Sequence, residues 1–146
     1  YGIALSLIMF DIDHFKRIND NWGHATGDWV LRQIAQETRE LLRKTDQAGR
    51  YGGEEFVVVL PETDLSEALL LAQRLGQRIS ETAITPEHDA PMSVTVSMGV
   101  AALVVDETGE ELIHRADQAL YRAKQQGRNR VETALDPADL PGEKAE

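Results

Sequence analysis

The spacing of apolar positions changes along the chain, and each change marks an element. Ala4-Leu5-Ser6-Leu7-Ile8-Met9-Phe10 is nearly continuously apolar, as a central strand buried on both faces requires. It ends abruptly in Asp11-Ile12-Asp13. His14 to Asp20 reads as a short helix, and Asn21 to Gly27 as a polar, glycine-punctuated loop. From Asp28 the period becomes helical. Trp29, Val30, Ile34, Leu41 and Leu42 recur on one face of a helix running to about Lys44. Arg50-Tyr51-Gly52-Gly53-Glu54-Glu55-Phe56 follows, ahead of the β-branched run Val57-Val58-Val59-Leu60 that Pro61 closes. Strand, glycine turn, strand predicts a β-hairpin.

Glu62 to Glu67 carries a helix-start signature. The helix it opens runs to about Glu81, with Leu69, Ala72, Leu75 and Ile79 inward. Thr82 to Pro91 is a polar loop. Val94 to Val100 alternates with period two and predicts a strand. Glu110 to Gln126 is an amphipathic helix with Leu112, Ile113, Ala116, Ala119, Leu120 and Ala123 inward. Gly127 ends it, and Arg130-Val131-Glu132 suits a last edge strand. From Asp136 onward Pro, Gly and acids dominate, which predicts a disordered tail. The pattern gives one α/β domain over residues 1–133 and a tail over 134–146.

At 146 residues the chain is long enough for a substantial core. Its net charge of -10 argues against long nucleic acid, whose backbone needs clustered Lys and Arg, but not against a small nucleotide arriving with its own cations. There is no cysteine, so thiolate catalysis, disulfides and cysteine-based zinc sites are excluded. The longest apolar stretch, Ile3 to Phe10, is too short to span a bilayer, and no basic leader with a cleavage site is visible. The sequence opens without Met inside an apolar run, as expected of a piece of a longer chain.

The hairpin is the first candidate for chemistry. Gly52 and Gly53 can take positive φ and expose bare backbone N–H groups that a phosphate could approach closely. Glu54 and Glu55 alternate along a strand, so one of them faces a given site. Acid beside a phosphate-accommodating turn suits a divalent cation lying between them; a surface hairpin with two solvated glutamates is the alternative. Asp11 stands at the C-terminal end of a buried strand, where α/β folds place their ligands. Asp13 is expected to cap the following helix. Asn19 and Asp28 read as a helix-terminal polar group and an N-cap. Lys124 and Arg128 are four apart, and share one face if the helix extends that far. They are anion-binding candidates or helix-ending charges, as are Arg43 and Lys44 at the end of their helix.

Several stretches together resemble the GGDEF family in order and spacing. They are Phe10-Asp11-Ile12-Asp13-His14-Phe15-Lys16, Asn19-Asp20, Gly23-His24, Gly27-Asp28, Arg50 to Phe56, Ser97-Met98-Gly99-Val100, Ala116 to Lys124 and Gly127-Arg128-Asn129. These are diguanylate cyclases, which condense two GTP into cyclic di-GMP with loss of two pyrophosphates. The chain carries the GGEEF form of the signature, which active members also use. The resemblance implies a central, mostly antiparallel sheet flanked by helices, similar to adenylyl cyclase cores and polymerase palms. It implies two Mg²⁺ (or Mn²⁺) held by Asp11, Glu54 and the carbonyl of Ile12, with Glu55 supporting the site or helping to deprotonate the attacking hydroxyl. Phosphates fall to His14, Phe15, Lys16, Gly52, Gly53, Lys124 and Arg128, and guanine to Asn19 and Asp28. Arg43 and Asp46 match an RxxD product-binding site, with Arg74 a further contact.

One site holds one GTP, so the resemblance implies a catalytic homodimer. It also implies an upstream sensory domain, a bacterial cytoplasmic location, no nucleic-acid polymer as partner and no membrane contact by this domain. Family members usually carry a helix and a segment resembling D-x-L-T-G-L-x-N-R before the first strand. This sequence opens in the strand itself.

Overall fold

The computed structural model describes residues 4–86 and 90–136. Its elements in chain order are β1 (Leu5–Ile12), α1 (Phe15–Trp22), α2 (His24–Leu41), β2 (Gln47–Gly52), β3 (Glu55–Pro61), α3 (Leu65–Glu81), β4 (Val96–Ala102), α4 (Gly109–Gln125) and β5 (Arg130–Thr133). Residues 137–146, most of the expected tail, lie outside the described residues, as does part of the loop expected at Thr82 to Pro91.

The strands form one sheet in the order β2-β3-β1-β4-β5. The apolar run of β1 occupies the centre, antiparallel to both β3 and β4. Only β5 runs parallel to its neighbour, β4, and it takes the edge the sequence predicted. The fold is the expected mostly antiparallel sheet flanked by helices.

Strand parity decides what each face touches. Ile8, Phe10 and Ile12 of β1 join Val30 and Ile34 of α2 and Ala72, Leu75 and Ile79 of α3 in the larger core. Leu7 and Met9 face the other way and pack with Ala101 of β4 and Leu112, Ala116 and Leu120 of α4. Phe10 and Phe56 stack across the β1–β3 pair with ring centroids 4.9 Å apart. Both α3 and α4 open with a reciprocal capping box, Asp64 with Glu67 and Thr108 with Glu111, which satisfies donors that a helix start leaves unpaired.

Two boundaries differ from the sequence reading. The long helix begins at His24 rather than Asp28 and ends at Leu41 rather than near Lys44. The reason is tertiary. Gly27 presses against α1, where an added Cβ would lie 1.9 Å from Asn19 Oδ1 and 3.2 Å from Phe15 Cζ. The segment expected as a loop therefore coils as the first turn of α2, and Asp28 is not its N-cap.

Candidate active site

The odd-numbered face of the sheet carries the acids. Leu7 and Met9 point toward α4, so Asp11 does too. Val57 and Val59 of β3 pack on that same side, so Glu55 follows them. The register sets Asp11 directly opposite Glu55 on one side and Ser97 on the other. Asp11 Oδ2 accepts from Lys124 Nζ of α4. Asp11 Oδ1 is buried and has no hydrogen-bond partner among the described residues. Burial raises the Asp11 carboxyl above its usual range against the opposing pull of Lys124, with Glu54 and Asp117 adding repulsion. Glu55 is pushed up to about 7 by burial, by its hydrogen bond with Asp117 and by repulsion from Asp11 and Asp117.

The signature acids thus part company. Glu55 opens β3 and sits among Asp11, Asp117 and Lys124, whereas Glu54 lies exposed in the turn, near enough to Asp11 to raise it. Asp117 was missed in the sequence. Its signal was there: seven residues before Lys124, it shares a helix face with it.

Asp13 does not cap α1. That cap is His14, in a left-handed conformation with φ 58° and no side-chain hydrogen bond. Asp13 is instead buried. Oδ2 accepts from Thr95 Oγ1 at 2.6 Å and from the Asn129 amide at 3.0 Å, and Oδ1 accepts from Ser97 Oγ at 2.6 Å. The hydroxyls and the amide outcompete the helix start because they surround a carboxylate already out of water.

Of the phosphate candidates, His14 and Lys16 are exposed and Phe15 is buried against the core. Arg128 is not on α4, which ends at Gln125, so it and Lys124 do not share a helix face. It sits in a left-handed turn. The hairpin glycines do not use their conformational freedom. Positive φ among described glycines occurs at Gly23 and Gly127, not at Gly52 or Gly53. A Cβ at either hairpin glycine would meet nothing within 4 Å, so neither backbone strain nor packing within the chain demands glycine there. What they leave is bare backbone facing open space, with the turn clasped by Arg50 Nη2 donating to the Gly53 carbonyl at 2.5 Å. Gly27 packs against half-buried Asn19 of α1, and exposed Asp28 is the next residue along α2.

Arg43, Asp46 and Arg74 line one cleft of about 210 Å³ with Thr63, Glu67 and Leu71. Arg43 grips Asp46 through Nε at 3.2 Å and Nη2 at 2.9 Å, and its Nη2 also donates to Thr63 Oγ1 at 2.7 Å. The Asp46 side chain is buried, while that of Arg43 is more than half exposed.

A sheet end with paired acids, a glycine hairpin beside them and a helix delivering a lysine fits one family profile. The profile described as diguanylate cyclase, GGDEF domain, matches residues 2–130. The chain belongs to the GGDEF-domain family. This GGDEF domain is 52% identical over 135 residues to diguanylate cyclase DgcP of Pseudomonas aeruginosa, covering 91% of the chain and 20% of the relative. It is 45% identical over 139 residues to diguanylate cyclase A of Treponema denticola, covering 94% and 37%. It therefore spans between a fifth and two fifths of these relatives' length. Among solved structures it resembles the GGDEF domain of DgcB from Caulobacter crescentus in complex with c-di-GMP, at 36% identity and TM-score 0.86, covering 90% of this chain and 78% of that one. It resembles likewise the active GGEEF domain of a diguanylate cyclase from Vibrio cholerae, at 37% identity and TM-score 0.84, covering 91% and 84%.

The donor set suits a hard divalent cation. Asp11 offers a buried oxygen with no partner, and Glu54, Glu55 and Asp117 crowd negative charge around the one ammonium of Lys124. Among the described residues no three acidic or histidine side chains already converge as a cage.

Proposed function

We propose that this domain is a diguanylate cyclase, joining two GTP into cyclic di-GMP with release of two pyrophosphates. The observation that carries the reading is the buried Asp11 Oδ1, unpartnered among the described residues, beside the acidic hairpin of a GGDEF domain. Asp11 and Glu54, with the Ile12 carbonyl, would hold two Mg²⁺ or Mn²⁺. When bound, these ions neutralise triphosphate charge and acidify the attacking 3′-hydroxyl. In each half-reaction the 3′-oxygen of one GTP bonds to the α-phosphorus of the other, the bond to the β-phosphate bridge breaks, and the hydroxyl proton is released.

The chain's own residues bind and orient. The open backbone at Gly52 and Gly53 lets the triphosphate lie against the hairpin. Amides of His14, Phe15 and Lys16 open α1 and attract the β- and γ-phosphates, with Lys124 and Arg128 as the cations of the clamp. Asp28 accepts from N1–H and the 2-amino group of guanine, and Asn19 adds polar contacts. Adenine offers neither donor and would leave Asp28 unpaired. Glu55 buttresses Asp11 from the adjoining strand.

One such site holds one nucleotide, so catalysis needs a homodimer with two half-sites facing each other. Cyclic di-GMP returns to the cleft of Arg43, Asp46 and Arg74 and slows the enzyme. There Arg43 can donate to guanine O6 and N7. In this reading the domain works in a bacterial cytoplasm under an upstream sensory domain. Among the described residues no helix is long and apolar enough to cross a membrane.

The test is incubation with GTP and Mg²⁺ at several protein concentrations, with mass analysis for cyclic di-GMP. Product rising more steeply than linearly with protein is the expected result. GTP binding without product would instead make the domain a nucleotide receptor.

A further inference from the structure

The carboxylate of Asp13 is the most heavily engaged acid at the sheet end, and neither the metal set nor the guanine set uses it. It is buried to 7% exposure. Its three hydrogen bonds reach residues 82, 84 and 116 positions away. Two come from β4 and the segment leading into it, through Thr95 and Ser97. The third comes from the backbone of Asn129, inside the turn that follows α4. That turn is costly as built. Gly127 has φ 123°, and two consecutive non-glycine residues, Arg128 and Asn129, are left-handed at φ 64° and 49°. Side chains other than glycine adopt this region only when surrounding contacts hold them there. Contacts across it include the Arg128 amide donating to the Ala123 carbonyl at 2.9 Å, the Asn129 amide donating to Asp13, and Arg130 Nη1 donating to the Gln126 carbonyl at 2.8 Å.

The product of that strain is the placement of Arg128. Its side chain is exposed and makes no hydrogen bond or ion pair with any described residue, whereas Lys124 also contacts Asp11. The Arg128 backbone is fixed and its guanidinium is free.

We propose that Asp13 is a positioning residue that locks the left-handed Arg128–Asn129 turn against the sheet and so aims the Arg128 guanidinium at the substrate's phosphates. The identity of that anion as a nucleoside triphosphate rests on the cyclase reading; the locking of the turn does not. Asp13 already accepts three hydrogen bonds, two on Oδ2 and one on Oδ1, and none of them comes from the acid cluster. Asp13→Asn is the informative variant. It keeps shape but exchanges one acceptor for a donor, so that the hydroxyls and the amide can no longer all be served.

The experiment has two readouts. The first is amide hydrogen exchange on the purified chain. In Asp13→Asn, exchange across residues 126–131 accelerates at least tenfold, while α3 stays at wild-type protection. Unchanged exchange there overturns the proposal whether or not the chain turns over GTP. The second is kinetic, as a cycle with Arg128→Ala. Asp13→Asn alone raises KM for GTP roughly tenfold, the size of one lost charge-assisted contact, and changes kcat less than threefold. In the Arg128→Ala background it adds less than twofold.

Full multiplication of the two effects overturns the proposal, since Asp13 would then act independently of Arg128. So would a shift in the Mg²⁺ requirement without a change in KM, which would assign Asp13 to the cation. Ser97→Ala keeps the carboxylate and removes one donor, so it should repeat the pattern at smaller amplitude. If wild-type chain binds GTP but makes no cyclic dinucleotide, the cyclase reading fails alone. The cycle is then run on Kd for GTP, with the same outcomes deciding.

Discussion

Gly99→Ala tests how the helix that carries Lys124 is seated. Gly99 pairs with Met9 at the centre of the sheet, on the α4 face. A Cβ there would lie 2.1 Å from the Ala116 carbonyl oxygen, 2.4 Å from the Leu120 amide nitrogen and 3.0 Å from the Ala119 carbonyl carbon. All three are backbone atoms of one helix, so no side chain can swing aside. To recover an ordinary contact, α4 must withdraw by about 1 Å, a gap that forfeits up to half of the dispersion attraction across it. The loss falls on Leu112, Ala116, Ala119, Leu120 and Ala123, the apolar residues of the buried face of α4. Overpacking a tight core costs about 1–3 kcal/mol, and a rigid obstacle puts this variant at or above the upper figure. For a domain of 146 residues that is a fall of about 10 °C in Tm.

The same withdrawal carries Asp117 and Lys124 away from Asp11. Turnover measured well below the melting range should therefore drop about 100-fold, the usual scale for a misplacement near 1 Å. Thermal unfolding by circular dichroism, paired with cyclic di-GMP production at 20 °C or below, gives both numbers. A Tm within about 2 °C of wild type would refute the reasoning, because it would mean that α4 yields without loss of packing.

The other predictions separate binding from stability. Gly27→Ala adds a methyl 1.9 Å from the movable end of Asn19 while also adding helix propensity. Its Tm should stay within a few degrees of wild type as KM for GTP rises about tenfold, since propensity returns about 1 kcal/mol; a large fall in Tm with unchanged KM would contradict it. Glu107 is hydrogen-bonded to Arg115, which holds its carboxyl below the ordinary value of 4.5, and both side chains are at most 5% exposed. A depressed carboxyl stabilises the fold above its unfolded value and loses that contribution as pH falls through the lower folded one. Glu107→Ala should cost about 3 kcal/mol at pH 7, in urea unfolding, and the gap from wild type should narrow below pH 4.5. A gap constant with pH would exclude the linkage. Arg43→Ala and Arg74→Ala remove cations from one cleft and should weaken cyclic di-GMP inhibition at least tenfold, the scale of one charged contact, with uninhibited kcat preserved. Equal inhibition constants in both variants and wild type would separate that cleft from product binding.

What the sequence determined by itself is the type and order of elements. Apolar period is a local property, and it marked β1 as central, the hairpin over Gln47–Pro61, α3, α4 and the edge strand. It also put Asp11 at the end of the buried strand, because a carboxylate cannot continue an apolar run. Motif order then supplied the family. Tertiary structure decided the rest. Whether Glu54 or Glu55 shares a face with Asp11 depends on strand register, which sets Asp11 opposite Glu55. The true start of α2 depends on the closeness of Gly27 to α1, which propensity does not encode. Asp13 looked like a cap because capping is the best local use of an aspartate. It serves instead partners 82 to 116 residues away, and the Asp11–Lys124 pair spans 113. Such long-range pairs are set by how the sheet and α4 close on each other. Buried carboxylates take the donors that closure brings within reach, and no spacing along the chain announces them.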